Sequence, residues 1–396
     1  MSTSDANRLS RLRLENFRGF ESLDLRFEDD LTVLVGPNGA GKSAIVDAIA
    51  LLPVVREKLS LQARDVRVGA TRARILCEVV GHGHELTTEV DASRDADGDI
   101  DSSLVRGGRA VTPVVYRVNR VVHDETPGTT EGRTWTRSDA YAGWQDAARF
   151  YGEFFLWFKE TEDLENEQMR YDGAGPNPQL TAVRRAIQAL LPEIEEIRVR
   201  RDLPPLVRRP VLALRKHGVW LPFDALSEGE RTTVAMVGDI ARRLVLMGEG
   251  EGEDPLAASA VVIIDEIEQH AHPGWQRQIL RRLRRTFPNV QFIVTTHSPI
   301  IVSEVEPRNL RVLKDSALVE PEHGLGRDAN TVLEDVFDVA PRPQEVHDKL
   351  QQLADAIDDD RLDVAETLVA ECERLLPGGD PDLVYYRNLL LRLRDP

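Results

Sequence analysis

Cysteine is scarce in this sequence, and long apolar runs are missing. The two cysteines, Cys77 and Cys372, are far apart and belong to no CxxC pair or Cys/His cluster. This excludes a disulfide framework and the common zinc motifs, and it indicates a reduced intracellular protein. The first fifteen residues contain no apolar segment of the signal-peptide kind. The sequence has no run of about 18 apolar residues, which is the length that a membrane-spanning helix needs. We therefore expect a cytoplasmic protein without a membrane partner.

Positive charge is also in deficit. The chain has 50 Lys and Arg against 67 Asp and Glu, a net charge of −17. A surface that binds nucleic acid along its whole length is therefore excluded, and only local basic patches remain as candidates. With 396 residues, 41% of them hydrophobic, the chain is long enough for two domains or for one large domain with an insertion.

The pattern of strands and helices predicts an α/β fold. Strand–helix–strand alternation with continuously apolar strands indicates a mainly parallel sheet covered by helices on both faces. The acidic stretch DASRDADGDIDSS at 91–103 is interpreted as a flexible loop. The predicted domains are an N-terminal lobe at 1–136, a mainly helical insertion at 137–225, a C-terminal lobe at 226–320 and a helical tail at 330–396.

The tail is predicted to contain three short amphipathic helices. Residues 343–396 carry 13 acidic and 6 basic side chains. This balance favours a protein partner over DNA.

The segment GPNGAGKS at 36–43 satisfies G-x-x-x-x-G-K-[ST] and lies between an apolar strand and a helix. Its glycines allow backbone N–H groups to surround phosphates at the helix N-terminus. Lys42 is expected to reach the β- and γ-phosphates, and Ser43 to ligate Mg²⁺. The predicted nucleotide-binding residues of this loop are Gly36, Asn38, Gly39, Gly41, Lys42, Ser43 and Ala44.

Acidic residues follow the most apolar strand, AVVIIDE. Asp265 is the expected Mg²⁺ ligand, and Glu266 is placed to orient or deprotonate the attacking water. The two carboxylates could instead only cap the strand. His297 follows the strand VQFIVTT, where it either senses the γ-phosphate or is a packing residue.

The segment LSEGER at 226–231 resembles a second anion site. Ser227, Gly229 and Glu230 lie at the start of a predicted helix, which offers a hydroxyl, free N–H groups and a helix dipole. The first loop already surrounds one side of a nucleotide. The second loop therefore has a use only if it closes over the nucleotide of another subunit.

In order, GPNGAGKS, LSEGER, VVIIDE and TTHSP resemble the Walker A, signature, Walker B and switch-histidine motifs of ABC-type ATPases. In that family, two heads enclose two ATP molecules, each bound by the Walker A of one head and the signature of the other. The resemblance implies an ABC-type ATPase head with ATP and Mg²⁺ as cofactors and a second copy as partner. Lys42, Glu266 and His297 would be its catalytic residues.

The opening LENFRGFESLDLRF resembles the first strands of RecF, SMC, Rad50 and OLD ATPases. The segments FLWFKETEDLENE, HPGWQRQIL and FDVAPRPQEVHDKL resemble a bacterial group of AAA-15/AAA-23-type ATPases. That group includes PtuA of Septu anti-phage systems and retron-associated relatives. The resemblance implies an oligomer that regulates an HNH nuclease of the PtuB type, and nuclease activity is not expected in this chain itself.

Other candidate residues are less specific. HAHP replaces the HLHP of these relatives, and His270 and His272 lack a third nearby ligand for a metal site. Gln62 is a candidate Q-loop residue that would contact the metal. Arg18 could lie near the nucleotide or be an exposed, solvated arginine.

Two functions remain open from the sequence. One is an anti-phage defence ATPase that regulates a nuclease. The other is a RecF/SMC-like DNA-binding ATPase in repair or maintenance. The second is favoured by residues 198–216, which carry 7 basic side chains and 1 acidic one. A solvated face with ion pairs would explain this charge equally well.

Overall fold

We describe the chain from a computed structural model. It describes residues 7–51, 61–81, 84–94, 100–106, 112–118, 134–142, 150–203, 210–248, 254–319, 325–327, 329–337, 339–340, 342–376 and 379–394. The chain divides into two units, Met1–Gly326 and Arg327–Pro396.

The strands, in chain order, are β1 (Arg8–Phe17), β2 (Phe20–Arg26), β3 (Leu31–Val35), β4 (Arg72–Gly81), β5 (His84–Arg94), β6 (Ile100–Arg106), β7 (Val114–Tyr116), β8 (Ile194–Arg200), β9 (Val211–Lys216), β10 (Val219–Pro222), β11 (Ala260–Ile264), β12 (Val290–Thr296), β13 (Leu310–Lys314) and β14 (Ala317–Val319). The α-helices are α1 (Lys42–Ala50), α2 (Phe150–Tyr171), α3 (Pro178–Leu190), α4 (Glu228–Met247), α5 (Pro273–Gln276), α6 (Ile279–Thr286), α7 (Pro299–Val302), α8 (Ala329–Phe337), α9 (Gln344–Asp358), α10 (Leu362–Leu375) and α11 (Pro381–Arg394).

A six-stranded sheet in the order β14-β13-β3-β12-β11-β7 forms the centre of the first unit. All of its neighbours pair in parallel except β13 and β14. Every residue of β3 and β12 is buried, as expected for strands covered on both faces. The predicted α/β class with a mainly parallel sheet is confirmed. Because β3, β11 and β12 are parallel, the segments that follow them meet at one edge of the sheet.

A second, antiparallel sheet has the order β2-β1-β4-β5-β6. Its buried residues share a hydrophobic core with Ile45 and Ile49 of α1. The flexible loop predicted at 91–103 is wrong for 91–94 and 100–103, where Ser93 of β5 pairs with Asp101 of β6. Residues 95–99 lie outside the described part of the chain. Polar sequence is compatible with such strands because an antiparallel sheet can leave one face in solvent.

Helices α2 and α3 pack against α4. The approach is close at Gly238 of α4, where a Cβ atom would lie 2.5 Å from Cζ of Phe154. The segment predicted as a mainly helical insertion also contains a three-stranded antiparallel sheet, in the order β10-β9-β8. Part of its first predicted helix, 143–149, lies outside the described residues. Helix α2 begins at Phe150.

The second unit has a hydrophobic core of its own. Helices α9, α10 and α11 enclose Leu353, Ala365, Cys372 and Leu390. The three helices predicted for the tail are confirmed. In the described part of the chain, no helix combines the length and apolar character that a membrane crossing requires.

Candidate nucleotide-binding site

The phosphate loop connects β3 to α1, and two of its glycines are required by close contacts. A Cβ atom on Gly36 would lie 2.2 Å from the carbonyl oxygen of Leu313. On Gly41, which caps α1 at φ 102°, a Cβ atom would lie 2.4 Å from the ring of Phe20. Only glycine fits at these two positions without a shift of the surrounding atoms.

The rest of the loop is arranged as a phosphate site would need. Asn38 and Gly39 are exposed at its tip, and Gly39 has φ 81°. Ser43 is exposed in the first turn of α1, whereas Ala44 is half-buried against the core. The loop therefore presents its tip and the N-terminus of α1 to solvent, where an anion could approach.

Lys42 occupies the inside of the loop. Its side chain is buried, and Nζ donates to the carbonyl oxygens of Gly36 (2.8 Å) and Pro37 (2.9 Å). Burial lowers the pKa of Lys42 below its usual range, and Asp265, Glu266 and Glu268 oppose this effect. Phosphate oxygens could replace the two carbonyl acceptors, so the loop fits a nucleotide phosphate.

Asp265 and Ser43 lie together, although 222 positions separate them in the sequence. Ser43 Oγ donates to Asp265 Oδ2 at 3.4 Å, and Thr295 Oγ1 donates to Asp265 Oδ1 at 2.5 Å. A hydroxyl and a carboxylate at the end of a phosphate loop are hard oxygen donors of the kind that Mg²⁺ prefers. These residues therefore fit the predicted metal site.

Glu266 has a strained backbone, with φ 48°. Its N–H donates to Thr295 Oγ1 (2.8 Å), the same hydroxyl that donates to Asp265. One threonine side chain thus positions both acidic residues. Non-glycine residues at positive φ cost energy and are concentrated at functional sites, which suits a residue that must aim a carboxylate.

Glu268 is a site residue that the sequence analysis missed. Its carboxylate accepts the backbone N–H of His297 (2.5 Å) and the hydroxyl of Thr296 (2.8 Å). It thereby connects the segment after β11 to the segment after β12. Its position two residues after Glu266 was the available signal, but the contact depends on the pairing of two strands far apart in sequence.

His297 lies within the electrostatic influence of Lys42 and of the three acidic residues of this site. Burial is the largest cause that lowers its pKa below the usual value, and Lys42 lowers it further. The opposing effects of Glu268, Glu266 and Asp265 are smaller in sum. The imidazole is therefore neutral at pH 7, with one N–H to donate.

The signature loop forms a capping box at the start of α4. Ser227 is the N-cap, and its N–H (3.0 Å) and hydroxyl (2.7 Å) both donate to Glu230 Oε2. Lys216, from the end of β9, donates to the other carboxylate oxygen. Burial alone would raise the pKa of Glu230, but the hydrogen bonds from Lys216 and Ser227 keep it below its usual range. Glu230 is therefore charged and neutralised locally.

Gly229 packs directly on the segment after Walker B. A Cβ atom at this position would lie 2.2 Å from the carbonyl oxygen of His270. A pocket of about 410 Å³ opens here, with described lining residues Glu193, Lys216, His217, Ser227, Gly229, Glu230, His270, His272 and Trp275. Lys42 and Ser43 are not among them. The signature loop and the phosphate loop of one chain thus do not share this pocket.

Arg18 is neither free nor exposed. Its guanidinium donates to Asp65 (2.9 Å) and to Asp47 of α1. Burial opposes the charge of Arg18, but these two carboxylates raise its pKa above the usual range. Gln62 is exposed at the start of a short 3-10 turn, Ala63–Asp65, and its N–H donates to Asp65 (2.9 Å). Its predicted role as a metal contact stays a prediction.

Sequence comparisons match the chain to AAA domains and to known ATPases. A family model described as "AAA domain, putative AbiEii toxin, Type IV TA system" matches residues 138–303, and one described as "AAA domain" matches residues 11–53. The retron Ec83 probable ATPase of Escherichia coli is 29% identical, over 85% of this chain and 77% of that protein. The Septu protein PtuA of Bacillus mycoides is 40% identical, over 20% of this chain and 10% of that protein.

Among solved structures, the SMC head domain from Thermotoga maritima aligns with 80% of this chain and 100% of that chain, with 20% identity and a TM-score of 0.44. This similarity is too low to support a conclusion about activity. The motifs and the sequence matches do support one about kinship. By sequence the chain is similar to AAA domains, and a retron ATPase and the Septu protein PtuA are among the proteins that it resembles.

Proposed function

We propose that the protein hydrolyses ATP at sites shared between two copies of the chain. In each site, one copy supplies the phosphate loop, the acidic residues after β11 and His297. The other copy supplies the signature loop with Ser227 and Gly229. Two copies related by a twofold axis would form two such sites.

The observation that carries this proposal is that the signature loop lines a pocket of its own, which the phosphate loop of the same chain does not line. Ser227 and Gly229 line a pocket whose described residues include neither Lys42 nor Ser43. The signature loop nevertheless has a capped helix N-terminus and a carboxylate, Glu230, already neutralised by Lys216. Such a helix N-terminus is suited to bind an anion. The anion would be the nucleotide phosphate that the phosphate loop of the second copy holds.

The residues near the γ-phosphate have distinct tasks. Lys42 would exchange its two carbonyl acceptors for phosphate oxygens. Glu266, aimed by its positive φ and by Thr295, would orient and deprotonate the attacking water. Neutral His297 would donate a hydrogen bond where negative charge develops. Mg²⁺ held by Ser43 and Asp265 would neutralise charge on the β- and γ-phosphates.

A complementation experiment tests the shared site. Lys42→Ala disables a copy's own phosphate loop, and Ser227→Arg disables the loop it offers to its partner. Each variant alone should be inactive. Mixed in equal amounts, half of the dimers contain one complete site of two, so turnover should recover to at most about a quarter of the wild-type rate. A mixture no more active than the sum of its components would contradict the proposal.

We further propose that ATP binding and hydrolysis regulate a separate nuclease in anti-phage defence. The support is the similarity to a retron ATPase and to the Septu protein PtuA, and the partner that we propose is an HNH nuclease of the PtuB type. Co-expression with an HNH protein should give a complex that survives gel filtration, and Glu266→Gln should change its nuclease activity. Absence of both the complex and the effect would refute this part.

The alternative, a DNA-binding ATPase of the RecF/SMC type, has less support. The basic residues described within 198–216 each have a carboxylate partner: Arg198 with Glu196, Arg200 with Asp202, Arg201 with Asp163, Arg215 with Glu195, and Lys216 with Glu230. A basic side chain that is already paired with a carboxylate neutralises a DNA phosphate less well. It therefore contributes little of the counterion release on which DNA affinity depends. Binding of duplex DNA by the chain alone, with a steep salt dependence, would favour this alternative.

A further inference from the structure

The end of strand β7 contacts the Walker B segment through its backbone. Tyr116 is the last residue of this strand and lies opposite Ile264 in the parallel pair of β7 and β11. Its carbonyl oxygen accepts the N–H of Asp265 at 2.8 Å. Tyr116 therefore fixes the backbone from which the proposed metal-binding carboxylate projects.

The side chain of Tyr116 reaches the signature helix α4. Its hydroxyl donates to Asp239 Oδ2 at 2.8 Å. Both residues are fully buried, with exposures of 1% and 0%. Asp239 also accepts from Arg242 (2.7 Å) and Arg243 (2.7 Å). Asp239 lies twelve residues after the cap Ser227, which is about 18 Å along the helix at 1.5 Å per residue.

The next residue, Arg117, makes a third connection. Its guanidinium donates to Asp47, which lies on α1 one turn after Ser43. Arg18 binds the other oxygen of the same carboxylate. Two adjacent residues, neither of which belongs to a nucleotide-binding motif, thus contact the Walker B segment, the signature helix and the helix of the phosphate loop.

The buried cluster of Tyr116, Asp239, Arg242 and Arg243 joins β7 to α4 at a high cost in desolvation of its charges. Two guanidinium groups share one carboxylate, and Nη1 of Arg242 has no hydrogen-bond partner in the described part of the chain. Replacing buried ion pairs by well-packed apolar residues is often neutral or stabilising. Hydrogen bonds are directional, however, so a shift of α4 along its axis moves the acceptor of Tyr116 directly. Apolar packing would transmit such a shift less specifically.

We propose that Tyr116 and Arg117 are positioning residues that couple the two ATP sites of a dimer. When Ser227 engages the nucleotide of the second copy, α4 moves. Asp239 and Tyr116 pass this movement to Asp265, while Arg117 and Asp47 pass it to α1. This inference rests on the proposed function, because it requires the signature loop to bind the nucleotide of another copy.

Tyr116→Phe tests the coupling, because it removes one hydroxyl and leaves Asp239 with both arginines. We expect the ATP turnover of the wild type to rise cooperatively with ATP concentration. The variant should lose this cooperativity and show a Hill coefficient close to 1. Its kcat should fall, because Asp265 is no longer positioned by the movement of α4, while KM changes little. Tyr386→Phe is the matched control, since Tyr386 lies in the second unit beside Tyr385 (5.4 Å between ring centroids) and should keep wild-type cooperativity.

The coupling is overturned if Tyr116→Phe keeps the Hill coefficient and kcat of the wild type, or if the wild type shows no cooperativity. Should Tyr116→Phe fail to fold, Arg117→Gln carries the test, because it leaves the buried cluster intact and Asp47 still paired with Arg18. It should lose cooperativity in the same way, and wild-type kinetics in this variant would overturn the coupling. Light scattering of the wild type distinguishes failure of the coupling from failure of the proposed function. If ATP drives dimer formation but the variant has wild-type kinetics, only the coupling is refuted. If no dimers form with ATP, the proposed function is refuted.

Discussion

Glu268 gives the sharpest prediction about the site, because its carboxylate connects the ends of β11 and β12. It accepts the N–H of His297 and the hydroxyl of Thr296. Substitution by alanine removes both acceptors and leaves the His297 segment without its anchor. A hydrogen bond to a charged group contributes about 1.5–3 kcal/mol. Water can reach this half-buried position and recover part of the loss.

We therefore expect Glu268→Ala to lose about 2–3 kcal/mol of transition-state stabilisation, which corresponds to a decrease in kcat of roughly 30- to 160-fold. KM should change little, because Lys42 and the phosphate loop keep their contacts. Glu268→Gln retains one acceptor and should lie between the alanine variant and the wild type.

The assay is steady-state ATP turnover, with thermal unfolding of the same samples. Glu304→Ala is the control, an exposed acidic residue in the same part of the chain whose partner is Arg277 (3.1 Å). It should turn over ATP normally. If Glu268→Ala kept kcat within about threefold of the wild type, or if its whole effect were on KM, the positioning role of Glu268 would be refuted.

Three further predictions concern the signature loop and His297. Gly229→Ala places a methyl group 2.2 Å from the carbonyl oxygen of His270, so it should lower the free energy of unfolding by about 1–3 kcal/mol, and an unchanged melting temperature would contradict this close packing. Lys216→Met leaves the Glu230 charge without its cation. It should weaken ATP-driven dimerisation, while ATP binding by the monomer persists. If the variant and the wild type dimerise equally in sedimentation runs, Lys216 does not have this role. Because burial and Lys42 lower the pKa of His297 from its usual 6.5, the decrease of kcat at acid pH should be centred below pH 6.5, where the ring becomes charged. A decrease centred at or above 6.5 would show that the imidazole is not held neutral.

Much of the central sheet could be predicted from sequence, because buried parallel strands are apolar along their whole length. The strands LTVLV, AVVII and VQFIVTT have this character, and the segments that follow them carry the phosphate loop, the acidic residues and His297. Parallel order then brings these segments to one edge, so Lys42, Ser43 and Asp265 could be expected together. The spacing of the phosphate loop is itself specific.

Other parts of the site could not be predicted, because they depend on pairing between distant segments. Thr295 and Glu268 act across the pair of β11 and β12, and neither residue type is diagnostic alone. Tyr116 ends a three-residue strand whose neighbour is known only from the fold. The strand residues within 91–103 are polar, and polar sequence resembles a loop when the register of the partner strand is unknown.

The most direct test of the shared site is the mass of the Glu266→Gln protein, measured by light scattering with and without ATP and Mg²⁺. Loss of the water-activating carboxylate should trap ATP, so the mass should double when nucleotide is added. Adding Ser227→Arg to the same chain should abolish that increase, because the loop offered to the second copy is blocked. If the mass of Glu266→Gln does not change with ATP, or if the double variant assembles equally well, then ATP is not bound between two copies.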